Sequence, residues 1–266
     1  MSKKFYQNEK FQDLFFPIFY LALAVSIIVA SCYIFKQKYY QPIIVDGVSM
    51  QPTLAGGISN KNIDGKSYSL RYTYGLADIH PHSVNNFKRF DVIVTYYPKS
   101  WGTDDHYKIK RVWGFPGEAI SLRFDSETKT FTFTATKDGK TEKYVSTAED
   151  TYTTTFEFER TENKKKIYTK STMTYTSVRF NLKKKSFNVN ALTRRTFDNL
   201  ILGKNEYFVM GDNWHESTDC YDRMSKSDKL TRNYLQGRVL YVSAYVSLSS
   251  KGLPINFHSF DPRYEF

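Results

Sequence analysis

Between Asp13 and Lys36, residues 14–35 carry no charged side chain. As a helix rising ~1.5 Å per residue the run is ~33 Å long, enough for the ~30 Å hydrocarbon core of a bilayer. No later stretch approaches it, so the chain reads as having one membrane span. Lys3, Lys4 and Lys10 precede the run and Lys36 and Lys38 follow it. That balance leans only slightly toward an inside N-terminus. Pro17 falls near the start of the span, where a proline costs little.

Two other readings of this segment stay open. A basic start followed by an apolar core also describes a cleavable signal peptide. Val29-Ala30-Ser31-Cys32 has the look of a lipoprotein cleavage box, with Cys32 as the lipid-bearing residue.

Beyond the span the residue types favour strands. Tyr and Phe number 21 each and Thr is abundant, which suits a mainly β fold. A formal charge of +11 suits an anionic membrane surface or an acidic partner. Nucleic acid is set aside because no helix-turn-helix, zinc-finger or RNA-binding signature occurs. Cys32 and Cys220 alone make no disulfide framework.

The expected organisation is a tail (1–13), a transmembrane helix (14–35), and a β-rich catalytic domain in two parts (36–118 and 205–266). A β-rich lobe (119–204) is inserted between the parts. In that lobe Phe131, Phe133, Phe156, Phe158, Val178, Phe180, Phe187 and Val189 alternate with polar residues, and Asp138-Gly139 marks a hairpin turn. The lobe shows no chemistry of its own. Its clusters Lys164-Lys165-Lys166 and Lys183-Lys184-Lys185 read as solvated turns. Asp78, His80 and His82 have no second half to complete a metal site and read as a loop. No metal and no cofactor is expected.

The chemistry centres on Asp46-Gly47-Val48-Ser49-Met50-Gln51-Pro52-Thr53-Leu54. Gly47 can take backbone angles closed to other residues and Pro52 stiffens the exit, so Ser49 is presented on a sharp turn. Ser49 follows the span by so few residues that it lies within ~50 Å of the membrane exit even with the tether fully extended. A serine hydroxyl needs a base to become a nucleophile. Lysine can be that base only when neutral, and burial favours the neutral form. Lys108 and Lys110 share one face of the strand-like run His106-Tyr107-Lys108-Ile109-Lys110-Arg111-Val112-Trp113, with Arg111 on the other. The pattern alone does not separate the two lysines.

Four blocks, in order, resemble the type I signal peptidases, the membrane-bound Ser/Lys endopeptidases that remove signal peptides from exported proteins. Gly47-Val48-Ser49-Met50-Gln51-Pro52-Thr53-Leu54 resembles the nucleophile block. Arg89-Phe90-Asp91-Val92-Ile93-Val94 resembles the next, with Phe90 where glycine is common. Lys110-Arg111-Val112-Trp113-Gly114-Phe115-Pro116-Gly117-Glu118 resembles the lysine block and selects Lys110. Gly211-Asp212-Asn213, with Ser217 and Asp219, resembles the last block. Two departures stand out. Trp214 occupies a position usually held by arginine, and Asp219 is separated from Arg223 by Cys220-Tyr221-Asp222 where the family usually has Asp-Ser-Arg.

The resemblance implies Ser49 as nucleophile and Lys110 as general base, with the oxyanion held by the Ser49 backbone N–H. Gly47 stands where some relatives place a hydroxyl donor. Ser217 would hydrogen-bond and orient Lys110, and Asp212, Asn213, Asp219 and Arg111 would shape the site. Signal-peptide-bearing preproteins, cut after small residues at the first and third positions, would be the substrates. The lipid bilayer and the export machinery would be partners. The N-terminus would be cytoplasmic and the catalytic domain extracytoplasmic, in the cell membrane. Rival readings are a Ser49–His215–Asp212 or Asp219 triad, a non-catalytic surface assembly factor or chaperone, and a lipid-anchored binding protein.

Overall fold

Glu9–Tyr39 form one helix, within which Asp13–Tyr39 is long and apolar enough to cross a membrane, with its apolar side chains exposed. The structure, a computed structural model, describes residues 9–54, 56–57, 59–97, 107–183, 185–222 and 230–265. Residues 1–8, His106, Lys184 and Arg223 lie outside the described residues. Stacked pairs four residues apart, Phe15 with Phe19 and Phe16 with Tyr20, support the helix along one side. The helix starts before the uncharged run, so Pro17 lies inside it rather than in its first turn. There it removes one backbone hydrogen bond.

Pro42–Phe266 form a second compact unit, and it is mainly β. Its largest sheet has the order Tyr40–Val45, Tyr72–Asp78, Leu235–Leu248, Val92–Tyr96, Tyr107–Gly114, Glu206–Met210, Leu230–Thr231, with Pro254–Glu265 also paired to Leu235–Leu248. Pro254 opens that last strand, a position where a strand tolerates a missing donor. A five-stranded sheet joins Ser186–Asn190, Lys165–Asn181, Asp150–Glu162, Lys66–Leu70 and Asn60–Ile63. A four-stranded sheet joins Phe197–Ile201, Ala119–Asp125, Thr130–Lys137 and Lys140–Val145, the last two meeting at the Asp138-Gly139 turn.

All eight alternating apolar residues of 119–204 are buried. Phe156 and Phe158 lie in a smaller cluster with Leu70 and Tyr175. The other six form no core of their own: Phe131, Phe133, Val178, Phe180, Phe187 and Val189 pack into the same cluster as Val112, Trp113, Phe208 and Trp214. Phe90 sits at the centre, its ring 5.0 Å from Trp113 and 5.1 Å from Phe187. Its φ is +66°, the left-handed region that glycine adopts freely. The family's usual glycine therefore meets a backbone requirement. Here a buried aromatic bears a strain of roughly 1–2 kcal/mol and offsets it by packing.

The Asp78, His80 and His82 loop is a capping arrangement. His80 Nδ1 accepts from His82 N, and Asp78 accepts from His80 N and Ser83 Oγ, starting the short helix Pro81–Asn85.

Candidate active site

Ser49 lies on a tight turn whose two ends are driven inward. Met50 and Leu54 are each 1% exposed and join Val45, Val92, Val239 and Val242 in a small core. Burying two such side chains contributes about 1.5–3 kcal/mol each. Leu54 N donates to Met50 O and Gln51 N to Val48 O, which closes the turn on itself. Gly47, at φ +101°, bridges to Gly56 at its base.

Lys110 stands in the interior of the largest sheet. Its strand is flanked by Val92–Tyr96, where Ile93 is its partner, and by Glu206–Met210, where Met210 faces Arg111. That placement, not the residue's own character, takes Lys110 to 1% exposure while Lys108 stays half-buried. Lys110 Nζ donates to Ser49 Oγ at 2.6 Å. Burial is the main cause that lowers the amine from 10.5 to about 8; Lys108 and Arg195 push the same way, while Asp219 and Asp212 push it up. An amine of this kind accepts a hydroxyl proton near neutral pH. The Ser49 backbone N–H donates to no acceptor among the described residues.

The segment 211–222 grips the Ser49 turn. Asn213 N donates to Ser49 O at 3.1 Å and Asn213 Nδ2 to Val48 O at 3.0 Å. Asp212 accepts from Thr53 Oγ1 at 2.5 Å and pairs in two-pronged fashion with Arg111, from Nε at 2.8 Å and Nη2 at 2.5 Å. Arg111 also donates from Nη1 to Phe90 O at 2.8 Å. Gly211 has no room for a side chain, since a Cβ there would collide with the Ser49 carbonyl and the Ser217 hydroxyl. Ser49 and Ser217 therefore approach each other across a glycine.

Ser217 is buried beside this contact, but its hydroxyl donates to Asp219 Oδ2 at 2.6 Å rather than bonding Lys110. Its single proton goes to the nearest carboxylate. The partner predicted for it, Lys110, makes its one hydrogen bond among the described residues to Ser49. Asp219 also accepts from Gly211 N at 2.8 Å. His215 faces outward, with its ring on Thr193 Oγ1 at 2.8 Å and 3.7 Å from Glu216.

Three contributors escaped the sequence reading. Thr53 sits inside the nucleophile block but showed no role there. Asn190 donates to Asn213 Oδ1 at 2.7 Å. Arg195 donates to Asp219 Oδ1 at 2.6 Å. The last two come from the stretch that looked chemically silent, and this corrects that reading. One signal was present. Asp212 and Asp219 are two carboxylates of one short segment that has no lysine or arginine between them. Buried charges need partners, so a second arginine had to come from elsewhere. Trp214 meanwhile is 1% exposed and packs edge-on to Phe131 at 4.9 Å, so the substitution joins this segment to the core.

A family model described as signal peptidase, peptidase S26, matches residues 18–224. No curated protein matches the chain.

Proposed function

The chain belongs to the signal peptidase S26 family, and on that premise we propose that it cleaves signal-peptide-bearing preproteins by acyl transfer through Ser49 and Lys110. The observation that carries this reading is the 2.6 Å hydrogen bond between the Lys110 amine and the Ser49 hydroxyl, in a setting that favours the neutral amine.

In the reactive form the contact reverses. Neutral Lys110 accepts the Ser49 proton as Oγ attacks the scissile carbonyl. The ammonium then protonates the departing amine, and the neutral lysine next activates the water that releases the acyl group. The Ser49 N–H, which has no acceptor among the described residues, stabilises the oxyanion. Asn213 and Asp212 hold the turn so that Oγ and Nζ are already aligned. The side chains accepted at the first and third positions before the cut are small. The helix is a single-pass anchor, with the N-terminus cytoplasmic and the peptidase unit extracytoplasmic, in the cell membrane. His215 takes no part, its ring being engaged elsewhere.

The test is cleavage of a preprotein carrying an Ala-x-Ala site by the detergent-solubilised full chain. Ser49→Ala and Lys110→Met should each lower kcat/KM by about 10⁴-fold or more, with His215→Ala unchanged. Wild-type kcat/KM should rise about tenfold per pH unit and level off above about 8, as Lys110 loses its proton. Cleavage that survives in Ser49→Ala would overturn the reading.

A further inference from the structure

Arg195 arrives from the segment linking strands Ser186–Asn190 and Phe197–Ile201, yet it ends beside the site. It is 2% exposed. Its guanidinium donates to Asp219 Oδ1 at 2.6 Å, Ser217 O at 2.5 Å, Trp214 O at 3.1 Å and Asp222 Oδ2 at 3.3 Å. One face lies over the Tyr221 ring, 4.9 Å from its centre. A planar fork with five N–H groups can hold these four acceptors of residues 214–222 at once, which a lysine with three donors cannot do. Its neighbour Arg194, by contrast, is half exposed and pairs with Glu149.

Asp219 connects this fork to the reacting groups. The same carboxylate accepts from Ser217 Oγ and Gly211 N. Gly211 in turn is closed against the Ser49 carbonyl. We propose that Arg195 is a positioning residue for the Ser49–Lys110 pair: it fixes the 211–222 segment behind the nucleophile and cancels the charge of Asp219 beside the lysine. This rests on the Ser/Lys reading above.

The charges facing Lys110 are Asp219, Asp212, Lys108 and Arg195, with the Cys220 thiol nearby. The two carboxylates favour the ammonium form, and each is taken up by its own arginine. Asp212 is matched by Arg111 from the lysine block, and Asp219 by Arg195 from the 119–204 stretch. Removing Arg195 leaves an unopposed carboxylate next to the base. Lys110 would then hold its proton to higher pH, and the serine would stay unactivated over the range where the wild type works.

The experiment is the pH dependence of kcat/KM on the Ala-x-Ala preprotein, using the full chain in detergent. Thermal melts are run in parallel. Arg195→Met should move the rising limb up by about one pH unit, so that activity near neutrality falls ~10-fold and recovers at high pH. Asp219→Asn should move the limb down, and the double variant Arg195→Met/Asp219→Asn should return it close to wild type. Arg195→Lys should restore part of the shift. If Arg195→Met lowers activity by the same factor at every pH, the residue is only a structural tie and the proposal fails. Should Arg195→Met not fold, Asp219→Asn decides alone: an unmoved limb sinks the idea. Ser49→Ala and Lys110→Met separate the two claims, because inactive dyad variants beside an unmoved limb overturn only the role of Arg195.

Discussion

Arg71 and Lys110 are both cations closed off from solvent, at 0% and 1% exposure, but their surroundings are opposite. Arg71 bonds Glu157 and the Asn256 carbonyl, has Nε 3.5 Å from Glu159, and rests 4.5 Å over the Tyr168 ring. Its carboxylates are themselves held, Glu157 by His258 at 2.9 Å and Glu159 by Lys166 at 2.6 Å and by Ser247. Among the described residues Lys110 bonds only a serine hydroxyl, and both nearby carboxylates already have arginines. A buried cation surrounded by matched acceptors keeps its charge and ties strands together. A buried cation denied them is pushed toward the neutral form, a condition that costs stability and makes a base.

That contrast can be broken from either side. The largest effect on stability is expected at the paired cation. Arg71→Met leaves Glu157 and Glu159 buried without their main partner and should cost about 3–5 kcal/mol in urea unfolding. A loss below 1 kcal/mol would mean that His258 and Lys166 suffice. Next comes the unpaired cation, with the opposite sign. Burial holds the Lys110 amine at about 8 in the folded chain against 10.5 when free. The cost is therefore fully present below pH 8 and relieved as pH climbs from 8 to 10.5. Lys110→Met should be inactive yet more stable than wild type by on the order of 3 kcal/mol near pH 6, with the gap closing in alkali. A less stable Lys110→Met at low pH would remove the contrast. The smallest effect belongs to an ion pair of good geometry in the wrong place. Arg123 and Asp198 meet at 2.8 Å, but their side chains are 70% and 61% exposed. Asp198→Asn should leave the melting temperature within error, because solvent screens such pairs.

The same comparison explains what could be seen in the sequence. Residue order carried the uncharged span, the period-2 apolar positions such as Phe131 and Phe133, the hairpin at Asp138-Gly139 and the short blocks that the fold brings together, with Ser49 beside Lys110. Those features are local, or repeat at the spacing of a strand. Arg195 is neither. It sits beside Arg194 with nothing to distinguish the two, and only the meeting of the 191–196 segment with the 211–222 turn separates a buried tie from a solvated side chain. The direction of the Ser217 hydroxyl was misread for a related reason. Its distance along the chain from Asp212 is a local fact, whereas the choice between Lys110 and Asp219 depends on which acceptor lies nearer after folding. Likewise the blank left by glycine at Phe90 was visible, but its aromatic filling needed Trp113 and Phe187 to be in place.

The grip of Asn213 on the serine turn also joins distant parts of the chain. Lys110 lies 61 residues beyond Ser49, and Asn213 reaches back to Val48 across 165. No short piece of the chain contains both the hydroxyl and the amine that it meets. The turn around Ser49 is completed by partners from both distant segments, Lys110 on one side and Asn213 on the other. On the proposed Ser49–Lys110 reading, the contact between hydroxyl and amine exists only once these distant segments have met in the folded chain.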